Sequence, residues 1–122
     1  MVASAIVANK TIEVAFSSLI NRIRSYNPFV DLKRLNAAYD TGKKAHNGQF
    51  RASGEAYFSH PIAVGYLLAD MHLDTDTIIT ALLHDTVEDC DITLQDISHQ
   101  FGNQIANLVD GVTKLSQIEN QS

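Results

Sequence analysis

The chain has 122 residues, of which 45% are hydrophobic and 19% charged, with a formal net charge of −5. This length allows one modest core and excludes two ordinary domains, and the composition excludes a largely disordered chain. The acidic balance argues against general nucleic-acid binding, so we expect neither DNA nor RNA as a partner.

The charges are unevenly distributed along the chain. Residues 1–51 carry 8 basic and 3 acidic residues, whereas residues 52–122 carry 1 basic and 11 acidic residues. This split suits a small anion held between a basic side and a metal-loaded acidic side, and it suits equally well two solvated helix faces of opposite sign. The single cysteine, Cys90, cannot form an internal disulfide, and we expect neither a secretion signal nor a membrane helix. These features together predict a cytoplasmic protein.

Apolar residues recur at helical spacing along most of the chain, and no segment alternates as a strand would. The sequence therefore predicts an all-α fold, an irregular bundle of about six helices. We divide it into an N-terminal helical segment, residues 1–30, and a second part, residues 31–122, within one structural unit. The signals for the helices are these: apolar spacing from Thr11 to Ser25, an Asp31 cap leading to about Asn47, His60-Pro61 leading to about Met71, an Asp74 cap, a Thr93 and Asp96 capping box before Gly102, and the apolar stripe Ile105, Leu108, Val109, Val112 and Leu115.

The helix after Asp74 carries the most informative polar residues. Its apolar side chains occupy too wide an arc for a surface helix, so we expect it to lie at the centre of the bundle. Near its end His84 and Asp85 are adjacent, and an imidazole with a carboxylate favours a divalent ion such as Mn, Fe or Zn. His60, at the start of another helix, is the candidate third ligand, because packed helices lie about 8–10 Å apart.

Glu88 and Asp89 follow His84 and Asp85 by four residues, on the same helical face. Three carboxylates so close together repel one another unless a cation lies beside them, where they can orient water or transfer protons. Plainer interpretations exist, because a histidine at a helix start is more often a cap or a packing residue, and the acidic residues also fit a solvated charge run. The remaining histidines show no partner pattern and are interpreted as surface or core residues: His46, His72 and His99.

Three blocks of sequence occur in order: AHNGQFRASGEAYFSHP, ALLHDTVED and LVDGVTKL. Together they resemble the hydrolase half of RelA/SpoT-type alarmone enzymes, which are metal-dependent HD phosphohydrolases. The resemblance implies an HD-domain helical bundle over residues 31–122 and a Mn-dependent enzyme that converts ppGpp or pppGpp to GDP or GTP and pyrophosphate. It also implies the site roles: His60, His84 and Asp85 as metal ligands, Glu88 and Asp89 as the catalytic acidic pair, and Arg51 and Ser53 at the guanosine-nucleotide pocket.

The family's fourth metal ligand, an Asp in a stretch resembling KLADRLHN, has no counterpart before Ser122. We therefore expect a bundle that is incomplete at its C-terminal end, with the central helix and the last apolar stripe short of covering partners. Exposed apolar surface of this kind recruits a second copy of the chain or a separately encoded partner. Two functions remain open: hydrolysis of ppGpp in the stringent response, or a non-catalytic remnant of a split or decayed gene that binds nucleotide or docks on a partner.

Overall fold

The computed structural model describes the backbone of residues 2–121 and the side chains of residues 10–116 and 118. The described part consists of α-helices and loops, and its β-structure is limited to an isolated bridge between Phe50 and Ala56. This confirms the all-α class. None of the described helices combines the length and the apolar character needed to cross a membrane. The helices are α1 (Val2–Tyr26), α2 (Leu32–Ala45), α3 (Ser59–Asp70), α4 (Thr75–Asp89), α5 (Leu94–Phe101) and α6 (Asn103–Gln121).

Three helices begin directly after the caps that the sequence predicts, although the side chain of Asp74, which precedes α4, accepts no hydrogen bond from the backbone of that helix. The side chain of Asp31 accepts a hydrogen bond from the N–H of Arg34 at the start of α2. At the start of α5, Thr93 Oγ1 accepts from the N–H of Asp96, and the Asp96 carboxylate accepts from the N–H of Thr93. This reciprocal pair satisfies two backbone donors that a helix start otherwise leaves unpaired.

α1 is longer than the apolar pattern predicts, because it begins at Val2 rather than at about Thr11. Residues 2–10 contain three alanines and neither glycine nor proline, so continuing the helix through them costs little. The helix packs against α3. Its buried apolar residues belong to the common core: Ile12, Phe16, Leu19 and Ile23. The division of the chain near residue 30 stays a prediction.

α4 lies at the centre of the bundle and packs against α2, α3 and α6. The expectation that α4 lacks covering partners is wrong, because α6 itself covers it. Ile105 and Val109 of α6 are 0% exposed, whereas Leu108 and Leu115 on the same helix are 40% and 67% exposed. The apolar stripe is therefore buried on one side and open on the other. The fully buried apolar residues of α4 are Ile78, Ile79, Leu82 and Leu83.

Gly42 marks a close approach between α2, α4 and the loop that precedes α3. A Cβ atom on Gly42 would lie 2.3 Å from Cε1 of Phe58 and 3.1 Å from the carbonyl oxygen of Leu82. Phe58 is itself buried in the core. The packing of these three segments therefore requires a residue without a side chain at this position.

Candidate active site

The C-terminal half of α4 carries two adjacent side chains that converge. Nε2 of His84 lies 2.9 Å from Oδ1 of Asp85, although consecutive helical residues point about 100° apart. The other ring nitrogen, Nδ1 of His84, lies 2.9 Å from the carbonyl oxygen of Ala81. Because a carbonyl oxygen can only accept, Nδ1 carries a proton, and Nε2 is the nitrogen directed at the carboxylate.

Each side chain of this pair changes the pKa of the other. The hydrogen bond to Asp85 raises the pKa of His84, against the opposing effect of burial. Burial alone would raise the pKa of Asp85, but the hydrogen bond with His84 and the electrostatic influence of the neighbouring histidines outweigh it and lower that pKa. Protonated His84 therefore stabilises the fold at low pH, and this contribution is lost as the pH rises through the raised pKa of His84. Ionised Asp85 stabilises the fold at higher pH, and this contribution is lost as the pH falls through the lowered pKa of Asp85.

The spacing of the pair suits two neighbouring ligands of one divalent ion. Donor atoms about 2.0–2.2 Å from an ion and at right angles around it lie about 3 Å apart, and the His84 and Asp85 atoms are 2.9 Å apart. A hydrogen bond from the second ring nitrogen to a carbonyl is also the arrangement that orients a metal-binding imidazole. No three His, Cys, Asp or Glu side chains within the described residues are grouped closely enough to hold an ion. The structure thus brings together two of the three predicted ligands, and the exposed side chain of His60 does not join them.

The last turn of α4 concentrates negative charge. Glu88 and Asp89 are exposed there, and the turn contains no basic residue. The helix macrodipole adds a partial negative charge at this C-terminal end, where acidic side chains are unfavourable. A cation bound beside this turn would offset both effects.

Residues 49–58 form a loop that is closed by its own backbone. The N–H of Arg51 donates to the carbonyl oxygen of Glu55, with an N to O distance of 2.8 Å. Gly54 turns the chain with a φ of +90°, a conformation that glycine adopts without strain. The side chains of Arg51 and Ser53 are exposed, and no hydrogen bond or ion pair joins either of them to another described residue. The loop therefore presents both groups to solvent.

Tyr57, at the end of this loop, reaches the acidic turn of α4. Its hydroxyl oxygen lies 3.4 Å from Oδ2 of Asp85 and 3.5 Å from Oδ2 of Asp89. Burial, together with the negative charges of these two carboxylates, raises the pKa of Tyr57 to about 12, so the hydroxyl keeps its proton at neutral pH. Tyr57 is not among the site residues that the sequence predicts. Its position three residues before His60, inside the GEAY segment, is the signal that could have identified it.

His46 lies buried beneath the same loop. The residue is 3% exposed, and its ring centroid lies 5.0 Å from that of Tyr57. Nδ1 of His46 is 3.0 Å from Oε1 of Gln49 and 3.4 Å from Sγ of Cys90. Nε2 has no hydrogen-bond partner in the described part of the protein. His46 is therefore a core histidine that supports the loop, and no local sequence pattern distinguishes it from the exposed His99.

Comparison with known proteins places these features in a family. A model of the HD domain matches residues 38–122, a range that includes every predicted site residue. The chain therefore belongs to the HD-domain family.

Several curated proteins are similar in sequence to most of this chain. Over 104 residues the chain is 47% identical to the bifunctional (p)ppGpp synthase/hydrolase SpoT of Escherichia coli (strain K12), covering 85% of this chain and 15% of that protein. The same values apply to the guanosine-3′,5′-bis(diphosphate) 3′-pyrophosphohydrolase of Shigella flexneri. The GTP pyrophosphokinase rsh of Brucella ovis is 48% identical over 101 residues, which are 83% of this chain and 14% of that protein. The resemblance to RelA/SpoT-type enzymes is confirmed, and the chain spans about 15% of the length of these curated relatives.

Proposed function

We propose that this chain is the hydrolase part of a metal-dependent enzyme that degrades ppGpp or pppGpp. Water attacks the phosphorus atom attached to the 3′ oxygen, and the bond between that phosphorus and the 3′ oxygen breaks. The products are pyrophosphate and GDP or GTP with a free 3′ hydroxyl group. The observation that carries the proposal is the convergence of His84 Nε2 and Asp85 Oδ1 at 2.9 Å. Membership of the HD-domain family and the similarity to a guanosine-3′,5′-bis(diphosphate) 3′-pyrophosphohydrolase support it.

In this proposal His60, His84 and Asp85 would hold Mn²⁺ or another divalent ion. When bound, such an ion would make a bound water more acidic and polarise the phosphate under attack. Glu88 and Asp89 stand one turn beyond the His84 and Asp85 pair, where they orient the attacking water and take up its proton. Because both carboxylates are exposed, they are accessible to that water.

The 49–58 loop is proposed to bind the nucleoside. Arg51 presents a planar guanidinium that can stack on a base or hold a phosphate with paired hydrogen bonds, and Ser53 adds a hydroxyl nearby. Lys43 and Lys44 in the last turn of α2 contribute positive charge that attracts a polyanionic nucleotide.

The experiment compares wild type, His84→Ala and the control His99→Ala, which removes an exposed histidine outside the site. Mn²⁺ binding is measured by calorimetry, and pyrophosphate release from ppGpp is followed with Mn²⁺ present. His84→Ala should lower the Mn²⁺ affinity and the rate of pyrophosphate release by at least about 10²-fold. Removing a metal ligand should weaken binding more than removing a residue that only hydrogen-bonds a ligand. His99→Ala should match wild type. Equal Mn²⁺ binding by wild type and His84→Ala would contradict the metal assignment.

A second candidate function is nucleotide binding without hydrolysis, as a remnant of a split or decayed gene. One observation favours it: no complete group of three metal-binding side chains occurs within the described residues. Calorimetry with ppGpp, added to the assay of pyrophosphate release, distinguishes the two functions. Binding of ppGpp by calorimetry, with no pyrophosphate released at saturating Mn²⁺, would establish the binding function and exclude hydrolysis.

A further inference from the structure

We infer that Tyr57 is a positioning residue, whose hydroxyl lies between Asp85 and Asp89 and sets the orientation of one carboxylate relative to the other. The roles of the two carboxylates rest on the proposed function, whereas the contact rests on geometry alone. The hydroxyl oxygen is 3.4 Å from Oδ2 of Asp85 and 3.5 Å from Oδ2 of Asp89. A hydroxyl carries one proton, so two acceptors share one donor.

The two carboxylates need such a donor. Asp85 and Asp89 are four residues apart on α4, where like charges lie on the same face and repel each other. Oδ1 of Asp85 already faces Nε2 of His84, which leaves Oδ2 for Tyr57. Within the described part of the chain, no other side chain donates a hydrogen bond to Asp89. Tyr57 therefore links the predicted metal ligand to the predicted proton acceptor.

Two further contacts hold the backbone and the aromatic ring of Tyr57 in place. The N–H of Tyr57 donates to the carbonyl oxygen of Gln49, with an N to O distance of 2.8 Å. The aromatic ring packs against the buried ring of His46, with centroids 5.0 Å apart. Because neither contact involves the hydroxyl, Tyr57→Phe removes the donor and keeps the ring and the loop in place.

The functional consequence follows from the position of Asp85. A residue that hydrogen-bonds a metal-binding carboxylate orients that ligand, and its removal typically costs about 10–100-fold in metal affinity or activity. Tyr57→Phe should therefore weaken Mn²⁺ binding by about tenfold. It should lower kcat and leave the KM for ppGpp nearly unchanged, because the hydroxyl contacts the carboxylates and not the nucleoside-binding loop tip.

The first test uses the metal-free protein and needs no activity. The side-chain carboxyl ¹³C resonances of Asp85 and Asp89 are recorded at neutral pH in wild type, Tyr57→Phe and the control Tyr66→Phe, which alters a tyrosine on α3. Tyr57→Phe should shift both resonances, and Tyr66→Phe should shift neither. In reverse, Asp89→Asn should shift the Cζ resonance of Tyr57. Unchanged carboxyl resonances in Tyr57→Phe would overturn the inference, whether or not the chain is a hydrolase.

The second test is Mn²⁺ calorimetry on the same variants. A dissociation constant about tenfold higher for Tyr57→Phe, with Tyr66→Phe equal to wild type, is the expected result. Equal Mn²⁺ affinity in wild type and Tyr57→Phe would refute the positioning role. Failure of wild type itself to bind Mn²⁺ would count against the proposed function, and the carboxyl resonances would then decide on the Tyr57 contact by themselves.

Discussion

The C-terminal end of α4 and the tip of the 49–58 loop carry the two halves of the candidate site, and the structure holds them differently. At the end of α4, His84 and Asp85 are bonded to each other, and His84 is also bonded to the backbone. At the loop tip, Arg51 and Ser53 are exposed and bond to no other described side chain. The difference indicates that the fold fixes the geometry of the side chains proposed to hold the ion, whereas the side chains proposed to contact the nucleoside have no fixed partner among the described side chains.

Removing core volume behind the α4 end should have the largest effect. Leu82 is 0% exposed and lies two residues before His84, so Leu82→Ala should lower the free energy of unfolding by about 2–5 kcal/mol. The measurement is urea denaturation followed by circular dichroism. The matched control is Leu67→Ala on α3, where the side chain is 63% exposed and the change should stay within about 0.5 kcal/mol. A similar decrease in the free energy of unfolding for both variants would mean that packing around α4 does not stabilise the site more than an exposed position does.

Removing one carboxylate at the α4 end should lower the rate without loosening the ion. Glu88→Gln should reduce turnover of ppGpp by about 10²-fold, the usual scale of lost acid–base assistance. Metal content, measured by elemental analysis, should not change. Glu13→Gln, an exposed substitution of the same type on α1, is the control and should behave as wild type. A parallel loss of metal and activity would show that Glu88 is a ligand or a structural support.

A change at the loop tip should alter binding and leave the chemistry intact. Arg51→Ala removes a charged hydrogen-bond donor worth about 1.5 kcal/mol, so the KM for ppGpp should rise about tenfold with kcat nearly constant. Steady-state kinetics measure both, with Arg24→Ala on α1 as the control. A large fall in kcat with an unchanged KM would place Arg51 among the reactive groups and remove the distinction between the two halves.

Local patterns predicted most of the fold. The Asp31 cap and the Thr93 and Asp96 capping box lie where the sequence places them, because a cap is an interaction between near neighbours. The pattern did not predict that Ile105 and Val109 are covered. Apolar spacing shows that one face of a helix is suited to burial. Only the structure shows that α6 packs against α4 and buries these residues.

The candidate site was predicted only in part, for the same reason. His84 and Asp85 are adjacent in sequence, and their convergence follows from side chains of one helix. The contacts of Tyr57 with Asp85 and Asp89 join residues that are 28 and 32 positions apart, and those of His46 with Cys90 join residues 44 apart. Such contacts depend on how the loop crosses the end of α4, which no local pattern encodes. The functional roles of the predicted site residues all stay predictions: Arg51, Ser53, His60, His84, Asp85, Glu88 and Asp89.

Gly42 gives the site a second kind of constraint, which concerns mutational tolerance. Alanine is intrinsically favoured over glycine within a helix by about 1 kcal/mol, yet a Cβ atom here would lie 2.3 Å from the ring of Phe58 and 3.1 Å from the Leu82 carbonyl. Phe58 follows Tyr57 directly, and Leu82 precedes His84 by two residues. Any side chain at this position would therefore force the ring of Phe58 to move. In a saturation scan of α2, even alanine at Gly42 should lower the stability of the protein. The 49–58 loop and α4 can pack this closely on α2 only because residue 42 has no Cβ atom.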